Sequence, residues 1–217
     1  MNRRTLIAIA CLLVMQSCKQ AAQVEPKSLP FYNTADFTPD WIEPSSKGYH
    51  SIHIIPAFSF VNQDGEVVTE KNFRNKIYVA DFFFTSCPGI CKQLTNGLAK
   101  VQEAYKNDDE VLLLSHSVTP EKDSVPRLKL YAVAHQVSSN KWHLVTGDRK
   151  AIYALARQSY FADEDLGEQK NEDDFLHTEN VLLIDKKRRI RGVYKGTDAA
   201  EINNLINDIK QLEQEPQ

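Results

Sequence analysis

The sequence predicts an α/β sandwich built around a mixed sheet. Two observations carry this expectation: short, nearly unbroken apolar runs at "KIYVADFFF", "EVLLLSHSV" and "NVLLID", and stretches of helical periodicity between and after them. The chain has 217 residues, 42% of them hydrophobic, which suits one good core and hardly two.

The elements follow in order. In "FSFVNQDGEVVT", Asp64 and Gly65 stand between apolar-rich halves, so the domain opens on an N-terminal β-hairpin. "KIYVADFFF" reads as a central strand covered on both faces. Leu94, Leu98, Val101 and Tyr105 recur at helical spacing directly after it. "EVLLLSHSV" is a second buried strand, and Ser124 then caps a helix with Pro126 in its first turn and Leu128, Tyr131 and Ala134 on one face. "WHLVTG" is a third strand, and Asp148 caps a short helix through Tyr160. The acidic residues between Asp163 and Asp174 read as an exposed loop before the strand "NVLLID". Lys186, Lys187, Arg188 and Arg189 fall in an exposed turn leading to "IRGVY". Asp198 and Glu201 form a capping-box pattern ahead of Ile202, Leu205, Ile206 and Ile209, the closing helix.

The N-terminus reads as an address. Arg3 and Arg4 precede an apolar stretch from Leu6 to Met15, about half the ~20 residues a spanning helix needs, and Cys18 follows. This pattern gives a lipoprotein-type signal peptide over residues 1–17, lipidation at Cys18, a tether over 18–48 and a domain over 49–214. A plain secretory signal would export the domain as well. The expected location is therefore exported and membrane-anchored on the extracytoplasmic, periplasmic side. A net charge of -3 with both signs mixed argues against a nucleic-acid surface.

The chemistry concentrates in "FFFTSCPGICKQL", where Cys87 and Cys91 are four residues apart. Such a spacing fits a ligand pair, a redox pair or a nucleophile with its resolving partner. Pro88 suits the first helical position, which puts Cys87 at or just before a helix start and Cys91 one turn on. There the free N–H groups and the dipole favour thiolates. Residues four apart on a regular helix have Cβ atoms about 5–6 Å apart, whereas a disulfide prefers roughly 3.5–4.5 Å, so a metal bridges the pair with less distortion. Soft thiolates select Cu(I), zinc or iron–sulfur clusters; two are too few for a closed zinc site, and copper needs one more ligand.

His177 in "DFLHTENVLLID", at the mouth of a strand, is the candidate third ligand. His50, His53, His116, His135 and His143 lack ligand partners and stay outside the site. Asp81 lies six residues before Cys87 inside an apolar strand, at an offset similar to the buried aspartate of thioredoxins. If buried it can accept protons during thiol exchange; otherwise it serves structure. Thr85, two residues before Cys87, matches the threonine of peroxiredoxins, but Asp81 stands where those enzymes carry a proline.

From "FSFVNQDGEVVT" through "FFFTSCPGIC", "SVTPEKDSVPRLKLYA", "WHLVTG" and "FLHTENVLLID" to "GVYKGT", the chain resembles the SCO/SenC copper-binding proteins over about residues 54–210. The resemblance implies a thioredoxin-like three-layer sandwich with Cys87, Cys91 and His177 as ligands of copper, as Cu(I) and also Cu(II). It implies a metallochaperone rather than an enzyme. Its partners would be the copper-accepting subunit of cytochrome c oxidase, an upstream copper donor or thiol reductant, and a membrane reached through the lipid anchor. The alternative is a thiol-disulfide oxidoreductase acting through the same two cysteines. Three positions depart from the family pattern: Thr119 and Leu176 stand where aspartates are expected, and Lys92 where proline is frequent. With Leu176 unable to orient an imidazole, Asp173 or Asp174 is the substitute.

Overall fold

Two runs, Ile77–Phe83 (β5) and Val111–Ser117 (β6), are buried at every position and pair in parallel, with Asp81 opposite Ser115 and Phe82 opposite His116. Burial on both faces is what an unbroken apolar run dictates, and these strands form the centre of the sheet. The computed structural model describes residues 28–162 and 178–215.

Trp142–Thr146 (β7) adds to β6 in parallel. On its far side lie Ser59–Asn62 (β3) and Val67–Thr69 (β4), the hairpin expected from the sequence. Asn62 Oδ1 accepts from the N–H groups of Asp64 and Glu66 at 2.9 Å, and Gly65 takes a φ of 81°, which glycine adopts without strain. On the other side of β5, Asn180–Ile184 (β8) and Ile190–Lys195 (β9) are antiparallel. The seven-stranded order is β4-β3-β7-β6-β5-β8-β9.

Alternation along β5 separates two cores. Ile77, Val79 and Phe83 face helices Cys91–Ala104 (α1), Val125–Ala134 (α2) and Ala199–Gln214 (α4), through Leu94, Leu98, Leu128 and Leu205. Tyr78, Ala80 and Phe82 face Arg149–Gln158 (α3), through Ile152 and Ala156. A leucine such as Leu94 or Leu205, fully withdrawn from water, contributes about 1.5–3 kcal/mol. Helices thus cover both sheet faces, the thioredoxin-like three-layer sandwich.

Several boundaries differ from expectation. Helix α1 begins at Cys91, not at Pro88, because residues 88–90 form a turn whose last member, Ile90, is the N-cap. Ser124 occupies the N-cap of α2 without a side-chain cap bond, and Ala132, not Ala134, is buried beside Leu128. Asp148 caps α3 as expected, accepting from Ala151 at 2.8 Å, but the helix ends at Gln158.

The basic run is less exposed than expected: Lys187 is exposed, Lys186 and Arg188 are partly buried, and Arg189 is buried. Its guanidinium is buried against Asp185 at 2.7 Å, since a short strand connection returns it to the core. The expected tether also enters the domain from Leu29 onward. Leu29 and Phe31 are buried, Phe31–Tyr32 (β1) pairs with Pro39–Asp40 (β2), and Arg191 donates to the Leu29 and Pro30 carbonyls. Two apolar side chains, a buried arginine and the Leu29 N–H donating to Glu215 help hold a segment without periodicity.

Candidate thiol and metal site

The site lies where β5 gives way to α1, beyond the carboxyl ends of the parallel strands, the edge at which α/β folds place ligands. The chain leaves Phe83, turns at Phe84 and Thr85, and the Cys87 N–H donates to the Phe84 carbonyl at 3.3 Å. Cys87 is partly exposed and Cys91, the first residue of α1, is buried; both are free thiols.

The Cys91 side chain stands near enough to the Cys87 thiol to act on its protonation. The spacing of a regular helix does not apply to the pair, because Cys87 lies in the turn before α1. Partial burial acts to raise the Cys87 thiol, but hydrogen bonds from the Cys91 side chain and from the Cys91 and Gly89 N–H groups outweigh it, and the net shift is downward. Cys91 moves the opposite way. Burial, then its bond to Cys87, push it up to about 12 against a main-chain hydrogen bond from Phe84. The expectation of two easily formed thiolates is corrected accordingly: the ready thiolate is Cys87.

Asp81 is buried on the face shared with the thiols and is pushed up to about 7, chiefly by burial. Ser115 donates its hydroxyl to Asp81 and accepts the Trp142 indole N–H at 2.8 Å. Indole nitrogen only donates, so the serine proton is committed to the carboxylate. Ser115 and Trp142 escaped the sequence reading because both sit inside apolar runs that read as core. Beside them, Thr95 and Tyr131 share a hydrogen bond of 2.7 Å, and burial pushes Tyr131 up to about 12.

Asp123, also unpredicted, is buried and receives hydroxyls from Ser117 and Thr119, at 2.7 and 3.0 Å. Thr119, where a second aspartate was expected, thereby works as a donor. The visible signal was the clustering of Ser117, Thr119 and Asp123 after one strand.

His177, Asp173, Asp174, Leu176, Cys18 and the acidic run 163–174 lie outside the described residues. Among the described residues, no three histidine, cysteine or acidic side chains group as a metal site. His53 Nε2 lies 2.7 Å from the Ser159 carbonyl, His135 stacks on Tyr131, and His116 is buried among aromatic rings. Among the described residues no helix is long and apolar enough to cross a membrane.

A mixed sheet sandwiched by helices, with two thiols at the carboxyl edge, defines a thioredoxin-like protein with a dithiol site. A family model described as SCO1/SenC matches residues 47–214, and the chain belongs to this family. It is similar to a SCO1/SenC family lipoprotein from Bacillus anthracis, at 27% identity and TM-score 0.65, covering 75% of this chain and 96% of that one. It shares its fold with BsSco, described as a member of the Sco family of cytochrome c oxidase assembly proteins, at 24% identity and TM-score 0.62 over 76% of this chain and 96% of that one. Arabidopsis thaliana ScoI with copper bound matches at 26% identity and TM-score 0.56, covering 73% and 99% of the two chains.

Proposed function

We propose that this protein is an exported, lipid-anchored copper metallochaperone that helps assemble the copper centre of cytochrome c oxidase. One observation carries the reading: two free thiols, Cys87 partly exposed and Cys91 buried at the first residue of α1, at the ligand-binding edge of the sheet. Two adjacent sulfurs are a soft donor set that suits Cu(I). Cys87 and Cys91 hold the copper cargo, His177 supplies the third ligand, and Cys18 carries the lipid. The copper bound to Arabidopsis thaliana ScoI supports the cargo, and the Bacillus anthracis lipoprotein supports the anchor.

Transfer proceeds by ligand exchange, as thiolates of the accepting oxidase subunit replace the ligands one at a time. Partly exposed Cys87 is the first to be displaced and buried Cys91 the last. A second reading, thiol-disulfide oxidoreductase, is favoured by Asp81, a buried carboxyl with a protonation midpoint near neutrality beside the pair. In that reaction the Cys87 thiolate attacks a partner's disulfide, Cys91 loses its proton and resolves the mixed disulfide, and two electrons leave with the partner's two thiols.

The deciding experiment is anaerobic titration of the reduced protein with Cu(I) against a competing chelator, beside His177→Ala, Cys87→Ser and Cys91→Ser. One tight copper, weakened at least tenfold by each substitution, establishes the chaperone. Weak copper or indifference to His177 gives the oxidoreductase first place.

A further inference from the structure

We propose that Asp123 is a positioning residue for the thiol pair, acting through Thr85. The inference rests on Cys87 and Cys91 as the working pair, and it concerns what fixes their geometry.

Asp123 is wholly buried, yet it lies in the connection between β6 and α2, outside the cysteine loop. Its carboxylate collects donors from separate places. Ser117, at the end of β6, and Thr119, in the connection, hold Oδ2 at 2.7 and 3.0 Å. The Thr85 main-chain N–H donates to the same Oδ2 at 3.1 Å, and the Thr85 hydroxyl to Oδ1 at 2.5 Å. Arg127 on α2 closes the ring, donating from Nε to the Thr85 hydroxyl at 2.8 Å and standing 3.9 Å from Asp123 Oδ1. A buried carboxyl group with four hydrogen-bond donors and a neighbouring guanidinium is fixed where it stands, and the groups that complete it are held in turn.

What it holds is the platform of both sulfurs. The Phe84–Thr85 peptide presents its N–H to Asp123 and its carbonyl to the Cys87 N–H, while the other side of Phe84 supplies the main-chain hydrogen bond to the Cys91 sulfur. Displacing this peptide moves the turn that carries Cys87 and, through the shared Phe84, shifts the N–H that donates to Cys91. Asp123 touches neither sulfur and no cargo atom. Its effect runs through Thr85, held by main-chain N–H and hydroxyl alike.

The test compares Asp123→Ala, Thr85→Val and Thr85→Ser with Ser117→Ala in the reduced full chain. The readout is the ratio of iodoacetamide alkylation rates at Cys87 and Cys91, resolved by mass spectrometry, with unfolding midpoints and Cu(I) affinity alongside. Thr85→Val keeps the N–H and loses the hydroxyl; Thr85→Ser restores it; Ser117→Ala weakens the same carboxylate from the side away from the cysteines. We expect Asp123→Ala and Thr85→Val to change the ratio at least about fivefold, Thr85→Ser to restore it, and Ser117→Ala to lower the midpoint while leaving the ratio alone. Should Asp123→Ala fail to fold, Thr85→Val and its serine rescue decide. An unchanged ratio in folded Thr85→Val overturns the proposal, as does an equal change in Ser117→Ala. A changed ratio with no tight copper in the unsubstituted protein leaves the positioning intact and removes the chaperone reading instead.

Discussion

His116 Nδ1 stands 3.4 Å from the main-chain carbonyl of Asp81, although the two side chains enter opposite cores of the sandwich. Both are buried, and burial drives both toward neutrality: Asp81 up to about 7, His116 down to about 4. Their contributions to stability therefore run in opposite directions with pH. Unfolded, the carboxyl titrates near about 3.9 and the imidazole near about 6.5. The Asp81 contribution is fully present below about pH 4 and is lost as pH rises through 7, because the folded chain holds the extra proton. The His116 contribution is present above about 6.5 and is lost as pH falls through 4, because the unfolded chain holds it. Between about 4 and 6.5 the two slopes offset.

Asp81→Asn removes one slope and leaves the other. Relative to the unsubstituted protein, the variant gains about 2–4 kcal/mol between pH 4.5 and pH 8, most of a three-unit linkage. Urea midpoints of the reduced protein at the two pH values measure the gain. A stability gap that does not vary with pH would show that Asp81 ionises in the fold as it does in water.

His116→Phe reveals the complementary slope. The ring already stacks on Phe82 with centroids 5.0 Å apart, and among the described residues its Nε2 has no partner. A phenyl fills the same space without a stranded nitrogen, so stability rises by about 1–3 kcal/mol at pH 4.5 and by less at pH 7.5. Acid denaturation followed by circular dichroism should shift to lower pH. An unmoved acid midpoint would contradict the assignment of that limb to His116.

The thiols should react unequally. Cys87 is partly exposed and lowered, whereas Cys91 is buried and pushed up to about 12, so at pH 7 carboxymethylation falls on Cys87 at least about tenfold faster. In Cys91→Ala the Cys87 rate drops at pH 7, since a methyl group cannot donate to the thiolate. Equal labelling of the two positions would mean that the turn before α1 opens freely in solution.

Much of this was legible in the residues. Apolar runs marked β5, β6 and β8 because burial on both faces demands them, and Asp64-Gly65, Asp148 and Asp198 marked turns and caps whose hydrogen bonds are local. Cys87 and Cys91 announced themselves by type and spacing. Hidden were the features made by distant chain segments: Asp123 meeting Thr85, Ser115 between Trp142 and Asp81, and Arg189 drawn inside by Asp185. The start of α1 was misplaced because proline favours a first helical turn only where the backbone enters the helix there, and this chain makes one more turn first.

Arg191 is the residue on which the N-terminal segment depends. It donates to the Leu29 carbonyl and to Glu215 at 2.6 Å and to the Pro30 carbonyl at 3.0 Å, stands 3.5 Å from Asp185, and lies over the Phe31 ring. Arg191→Met keeps the length and apolar stem but abandons two carbonyls and two carboxylates, an expected cost of about 3–5 kcal/mol for a buried pair broken on one side. Ile190 pairs with Ile184, which pairs with Tyr78 near the start of β5, whereas the cysteines follow its end. The damage should therefore stay at that pole. Limited proteolysis under native conditions is expected to cut within residues 28–40 of the variant and spare the unsubstituted chain, while the Cys87 to Cys91 alkylation ratio is the same in both. Cleavage at equal rates would mean that Leu29 and Phe31 alone hold the segment; an altered thiol ratio would mean that the two poles of β5 are coupled.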